Sequence, residues 1–158
     1  MLDQSYCQIV RDLAALHHPN GYEAHPAAPS NLKDLKASIK WGGTFKVSPD
    51  HCDNTIYTTP AANHAARAWH DIWHYYLDAE FDTQGEIEVW KAQCRELVQR
   101  YRHHPSLIVF LELTTIEVLG QIEYFDEHGH FPPNQRLFAQ ACLLEGAYRD
   151  KALSFLTN

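Results

Sequence analysis

The apolar positions along this chain recur mostly with a helical period. Between residues 2 and 17, Leu2, Tyr6, Ile9, Val10, Leu13 and Leu16 return every three to four positions, one stripe on a helix. His17-His18-Pro19-Asn20-Gly21 stops that helix. Residues 19–30 hold three prolines and no period, which predicts a loop. A short helix over 31–40 follows, with Leu32, Leu35 and Ile39 on one side. The pattern then alternates. Thr44-Phe45-Lys46-Val47 and Thr55-Ile56-Tyr57-Thr58 read as two short strands, and residues 48–54 between them carry turn chemistry. This predicts a small β-hairpin near residues 43–58.

Thr59-Pro60 is a helix start, a capping hydroxyl followed by proline at the first helical position. The helix it opens should run over 60–79 and is apolar on most of its circumference, so it should be central. Phe81-Asp82 breaks it, and Thr83-Gln84-Gly85-Glu86 reads as a capping box opening a helix over 83–102. Its stripe is Ile87, Trp90, Cys94, Leu97, Val98 and Tyr101. A third long helix is predicted over 106–127, closed by His128-Gly129, and a last one from Pro132-Pro133 to about residue 155. The fold class predicted is mainly α: a single-domain helical bundle with a small β-hairpin insert. Residues 1–59 supply the first helix, loop and hairpin, and 60–156 form a helical core. Trp41, Trp69, Trp73 and Trp90 read as core residues.

Composition narrows the function classes. The chain has 158 residues, 45% of them hydrophobic, enough for one domain with a packed core. No apolar run approaches the roughly 20 residues a membrane span needs. The first residues lack the basic region and cleavage site of a signal peptide. A soluble, cytoplasmic protein is expected. Thirteen Lys and Arg stand against 20 Asp and Glu, a formal net charge of −7, which disfavours extended contact with nucleic-acid phosphates. Cys7, Cys52, Cys94 and Cys142 are far apart and form no CxxC, as expected of reduced thiols. There is no GxSxG, no glycine-rich phosphate loop, and no Cys–His pair at a spacing that announces acyl transfer.

The unusual feature is histidine: 11 are present, where average usage would give about four. His17, His18, His103, His104, His128 and His130 sit at predicted helix ends, where imidazoles meet free carbonyls and the helix dipole. His70 and His74 differ. At i and i+4 on a helix they share one face and can bind one metal ion, as in HExxH helices. Here the run is His70-Asp71-Ile72-Trp73-His74. Asp71 stands where those peptidases carry Glu, one methylene longer, so their mechanism is not carried over. Asp71 can orient a ligand imidazole or lie on the surface.

Two further helices offer ligands. Glu117 and Gln121 are spaced i, i+4 within an otherwise apolar helix, and a carboxylate buried there is costly unless paired or metal-bound. Glu117 can instead meet an Arg or face solvent, and Gln121 can simply bridge helices. Glu86 opens the helix after the histidine helix, and is either a ligand or base or the capping-box partner of Thr83. Bundle cores build metal sites from facing helices in this manner. His51, in the hairpin loop, could lean over the site, while His64 lies about 120° off the face of His70.

From about residue 66 to 138 the chain resembles an uncharacterised family of small proteins of bacteriophages and related mobile elements. The shared pattern is H-D-x-x-H (His70, Asp71, His74), Phe81, Gly-Glu (Gly85-Glu86) with Trp90 following, E-x-x-G-Q (Glu117 to Gln121), Tyr124-Phe125, and Phe131-Pro132 with Gln135. A similar arrangement is seen as a module in large phage polyvalent proteins. The resemblance covers about half the chain. It implies that His70, Asp71, His74, Glu86, Glu117 and Gln121 belong to one constellation, and a host-cytoplasmic setting. It implies no reaction.

These readings lead to a metal-dependent hydrolase acting on a small or nucleotide-like substrate. His70, His74, Glu117 and Gln121 would serve as metal ligands to Zn, Mn or Fe, and Asp71 and Glu86 as catalytic carboxylates. A second reading is a non-catalytic phage factor that binds and inhibits a host protein, its acidic charge suiting a basic target. A third is an HD-type phosphohydrolase, which would also need an earlier His and a late Asp, such as His51 and Asp126. A di-iron carboxylate bundle fits poorly, because no clean Glu-x-x-His aligns with the other residues.

Overall fold

The long apolar helix after Thr59-Pro60 forms as its signals require. In the computed structural model, which describes residues 4–157, α3 runs Pro60–Leu77. Thr59 Oγ1 accepts the Ala62 N–H at 3.2 Å and Pro60 occupies the first turn. Its buried face is Ala62, Ala65, Ala66, Ala68, Trp69, Ile72 and His74. The alanines let α1 (Gln4–His17) lie close against it with Tyr6, Cys7, Ile9, Val10, Leu13 and Ala14. Arg11 of α1 donates to Thr59 Oγ1 at 3.0 Å. Leu2, which the sequence placed on the α1 stripe, lies outside the described residues.

The chain is mainly α and divides into two compact units, one reaching Gly85 and one beginning at Glu86. The boundary falls inside the first turn of α4 (Thr83–Tyr101). The first unit also holds α2 (Leu32–Trp41) and the two strands β1 (Tyr22–Ala24) and β2 (Phe45–Val47). α2 is capped by Asn31, whose Oδ1 accepts from Asp34 N–H at 2.8 Å, and it buries Leu32 and Leu35. Trp41 at its end is 84% exposed, a departure from the core role expected of it, whereas Trp69 is 1% exposed.

The small β element is present at Phe45–Val47, but its pairing differs from the expected hairpin. β2 runs parallel to β1, Tyr22 opposite Phe45 and Ala24 opposite Val47. A parallel pair needs a crossover rather than a tight turn, and α2 provides it. Residues 55–58 form no strand. Thr55, Ile56 and Tyr57 are buried in succession rather than alternately, so core packing holds the segment where a ladder would need alternation. The preceding loop contains His51 and Asn54 in left-handed conformation, φ 53° and 56°.

In the second unit α4 buries Val89, Trp90, Cys94 and Leu97. Trp90 Nε1 donates to Thr115 Oγ1 at 3.0 Å, and Thr115 donates to the Leu111 carbonyl at 2.7 Å. The helix expected over 106–127 is found as α5 (Leu107–Thr115), a π-helical turn (Ile116–Gly120) and α6 (Gln121–His128). Glu117 stands in that π turn. The helix expected from Pro132-Pro133 to 155 is two: α7 (Gln135–Glu145) and α8 (Arg149–Leu153), followed by a 3₁₀ turn. Gly146, at φ 65°, ends α7. Among the described residues no helix is long and apolar enough to cross a membrane.

Candidate metal centre

His70 and His74 lie on one face of α3, as their spacing requires. Their Nε2 atoms are 3.1 Å apart. His74 is fully buried, and its Nδ1 lies 3.0 Å from the Ala79 carbonyl. A carbonyl oxygen only accepts, so His74 carries its proton on Nδ1 and presents the Nε2 lone pair to His70. A ligand histidine is commonly held in this way. The Phe81 ring covers the His74 imidazole, centroids 4.3 Å apart.

The turn that supplies these contacts begins at Asp78. It takes the left-handed conformation, φ 57°, and ends α3. The chain then folds back so that Ala79 N–H donates to the His74 carbonyl at 3.0 Å while the Ala79 carbonyl meets the same residue's ring. α4 starts soon after. Asp82 Oδ1 accepts the Gly85 N–H at 2.8 Å, so Asp82 holds the capping position and Thr83 is the first helical residue. The cap is thus Asp82 rather than the Thr83 read as opening a capping box, and the third helical position is Gly85, which has no side chain to complete such a box.

Glu86 joins the two histidines. One carboxylate oxygen and one nitrogen from each imidazole all lie within 4.8 Å of one another. Gly85 makes this approach possible. A Cβ there would stand 1.8 Å from the Glu80 carbonyl oxygen, so only glycine lets the helix start pass that close.

The three groups fit a divalent ion. A tetrahedral centre with bonds of about 2.0–2.1 Å holds two nitrogens about 3.3–3.4 Å apart, close to the 3.1 Å between these Nε2 atoms. Two imidazoles and one carboxylate leave coordination positions open, the arrangement of hydrolytic zinc and of non-haem iron sites. Such a set could hold a divalent ion.

The other predicted residues fall as follows. Asp71 is half-buried on α3 beside His70. Glu117 and Gln121 lie in the second unit, and the group of three does not include Glu117. Burial pushes the Glu117 carboxyl up to about 8, against a lowering hydrogen bond from Gln121. Glu117 Oε1 is buried with no hydrogen-bond partner. Nothing in the helical period announced the π turn that carries this residue; such turns recur at functional sites.

The remaining histidines divide. His104 Nδ1 accepts the Ser106 N–H at 3.1 Å and His128 Nδ1 lies 3.0 Å from the Tyr124 carbonyl, both at helix ends as expected. His18 is buried instead, with Nε2 2.9 Å from the Ala68 carbonyl of α3, and burial lowers its pKa. His64 sits 3.3 Å from Cys52 Sγ, a contact sequence spacing did not signal, since a loop conformation creates it. No protein-family model, curated protein or solved structure matches this chain.

Proposed function

We propose that this chain is a divalent-metal protein whose ion is held by His70, His74 and Glu86, and that it works as a metal-dependent hydrolase on a small or nucleotide-like substrate. One observation carries the reading: two Nε2 atoms converge at 3.1 Å, one of them on a fully buried ring whose other nitrogen is fixed by a backbone carbonyl. Without an ion, the two facing nitrogens can share only one proton between them. An ion between them would use both lone pairs.

When bound, an ion of this class lowers the pKa of a coordinated water and supplies a nucleophile near neutral pH. The chain's own residues have separable tasks. His74 keeps one tautomer through Ala79. Phe81 shields its ring from water. Glu86 brings a negative charge that offsets that of the cation. Asp71, next to His70 in the chain, is the carboxylate we assign to accepting the proton released from the attacking water. The resemblance to phage proteins supports a nucleotide-like substrate by context rather than by geometry.

The test is elemental analysis of protein purified without a histidine tag, beside a His70→Ala/His74→Ala double variant. About one equivalent of Zn, Mn or Fe in the parent and none in a folded double variant is the expected result. A parent that takes up no metal on reconstitution would overturn the reading.

A further inference from the structure

Four thiols are present, and three are sealed in. Cys7, Cys94 and Cys142 are buried, and burial pushes the Cys94 thiol up to about 12 and raises Cys142. Cys52 is different. It is only partly buried, and its Sγ lies 3.3 Å from His64 Nε2. His64 belongs to α3, six residues before His70, a rise of about 9 Å along the helix. The pair is therefore separate from the metal ligands, and nothing in the proposed metal chemistry uses it.

The thiol is held on a braced loop. Arg67 Nη1 donates to the Ser48 carbonyl at 2.7 Å, and its Nε donates to Asn63 Oδ1 at 3.0 Å, which pins the loop start to α3. Sγ also faces the Pro49 carbonyl at 3.1 Å and the Asp50 carbonyl at 3.6 Å. A thiol has one proton and cannot serve all three acceptors at once. In the tautomer that leaves His64 Nε2 unprotonated, that nitrogen is the basic acceptor among the three and can take the proton as sulfur attacks. Burial and the Arg67 charge lower the His64 pKa, which favours the neutral imidazole, the form that can take a proton.

We propose that Cys52 and His64 form a nucleophilic thiol–imidazole pair, a second reactive site that takes small uncharged carbon electrophiles. In the step, Sγ attacks the electrophilic carbon and an S–C bond forms. The leaving group departs with its bonding electrons. The thiol proton passes to His64 Nε2 and from there to water. The adjacent imidazole acts as the general base that takes the thiol proton as the S–C bond forms.

The experiment is competitive alkylation with iodoacetamide at pH 7, read by mass spectrometry at each cysteine, with a short unstructured cysteine peptide in the same tube. Here iodide is the leaving group. Cys52 is expected to react at least ten times faster than the peptide thiol, with Cys7, Cys94 and Cys142 slower than both. His64→Gln, checked for folding by circular dichroism, is expected to bring Cys52 back to within about threefold of the peptide. Labelling of Cys52 in the parent at or below the peptide rate overturns the proposal, and that comparison needs no variant. A folded His64→Gln protein whose Cys52 reacts as fast as the parent's overturns it as well.

Discussion

Replacing His74 by alanine should cost the metal-free protein more than replacing His70. His74 is fully buried, and its Nδ1–H satisfies the Ala79 carbonyl. Its loss leaves that carbonyl unpaired, a cost of about 1–3 kcal/mol. It also leaves a void under Phe81, and cavity creation of this kind adds roughly 1–2 kcal/mol. The metal-free protein should therefore lose about 3 kcal/mol, or roughly 6–12 °C in Tm for a chain of this length. His70 is only half-buried, and in the metal-free state its Nε2–H meets the His74 lone pair. Trimming it to alanine should cost less than about 1 kcal/mol.

Metal should leave that difference between the variants in place. An ion that binds the folded state alone adds about 2.7 kcal/mol at a hundred times its Kd. Both single variants should forfeit that gain, since each loses one of the three proposed ligands. The assay is thermal and urea unfolding of parent, His70→Ala and His74→Ala, each with chelator and with a graded excess of Zn²⁺ or Mn²⁺. The expected pattern is a stability difference between the variants with chelator and a shared loss of metal response. Equal destabilisation of the two metal-free variants would refute the role assigned to the Ala79 carbonyl. A His70→Ala protein that gains as much from metal as the parent would refute the ligand assignment.

Three other outcomes follow from the same geometry. Glu117 keeps its proton in the folded state up to about pH 8, whereas its ordinary value is 4.5. The stabilisation from the neutral acid is thus complete below 4.5 and lost as pH rises toward 8. Metal-free Glu117→Gln should escape that loss, worth about 2–4 kcal/mol, so urea unfolding at pH 5 and pH 8 should show a smaller decline than the parent's; equal declines refute the buried-acid reading. Gly85→Ala places a Cβ 1.8 Å from the Glu80 carbonyl oxygen, so the start of α4 must shift. A loss of at least about 2 kcal/mol together with weakened metal uptake is expected by denaturation and metal titration, and a variant with parental values in both counts against it. Thr59→Ala removes the cap of α3 and the acceptor for Arg11, and should lower stability by about 1–2 kcal/mol in a thermal melt.

Local signals made much of this arrangement legible. Thr59-Pro60 set the start of α3, and the i, i+4 spacing of His70 and His74 put two imidazoles on one face, because both depend on neighbours within one helical turn. Glu86 was legible as a group near those histidines, though its capping alternative could be weighed only once Asp82 was seen to hold the cap. What stayed hidden depended on distant partners. The alternation at 44–47 announced a strand but not that Tyr22–Ala24 would pair with it, since a parallel partner lies across a helix rather than a turn. Residues 55–58 carry strand-like chemistry, yet packing on the core outweighs it. Gly146 sits within a periodic apolar run, and only its positive φ shows that it divides α7 from α8. The contact between Cys52 and His64 spans a loop with left-handed His51 and Asn54, beyond the reach of any spacing rule.

The candidate metal centre owes its geometry less to the helices than to the short connection between α3 and α4. The α3 period alone brings two Nε2 atoms to one side, but it leaves the tautomer and rotation of His74 open. Asp78 turns the chain in the left-handed conformation, and that reversal carries the Ala79 carbonyl to His74 Nδ1. Two residues later Phe81 lies over the ring. Asp82 then starts α4 by capping Gly85, and the missing Cβ at Gly85 lets that first turn pass the Glu80 carbonyl. Glu86 follows directly, so its carboxylate is delivered by the same few residues that orient the histidine. A connection of this length leaves little slack. Variants in it should therefore act on metal affinity even where they touch no ligand, and Gly85→Ala is the most direct case because Glu86 is the next residue in the chain.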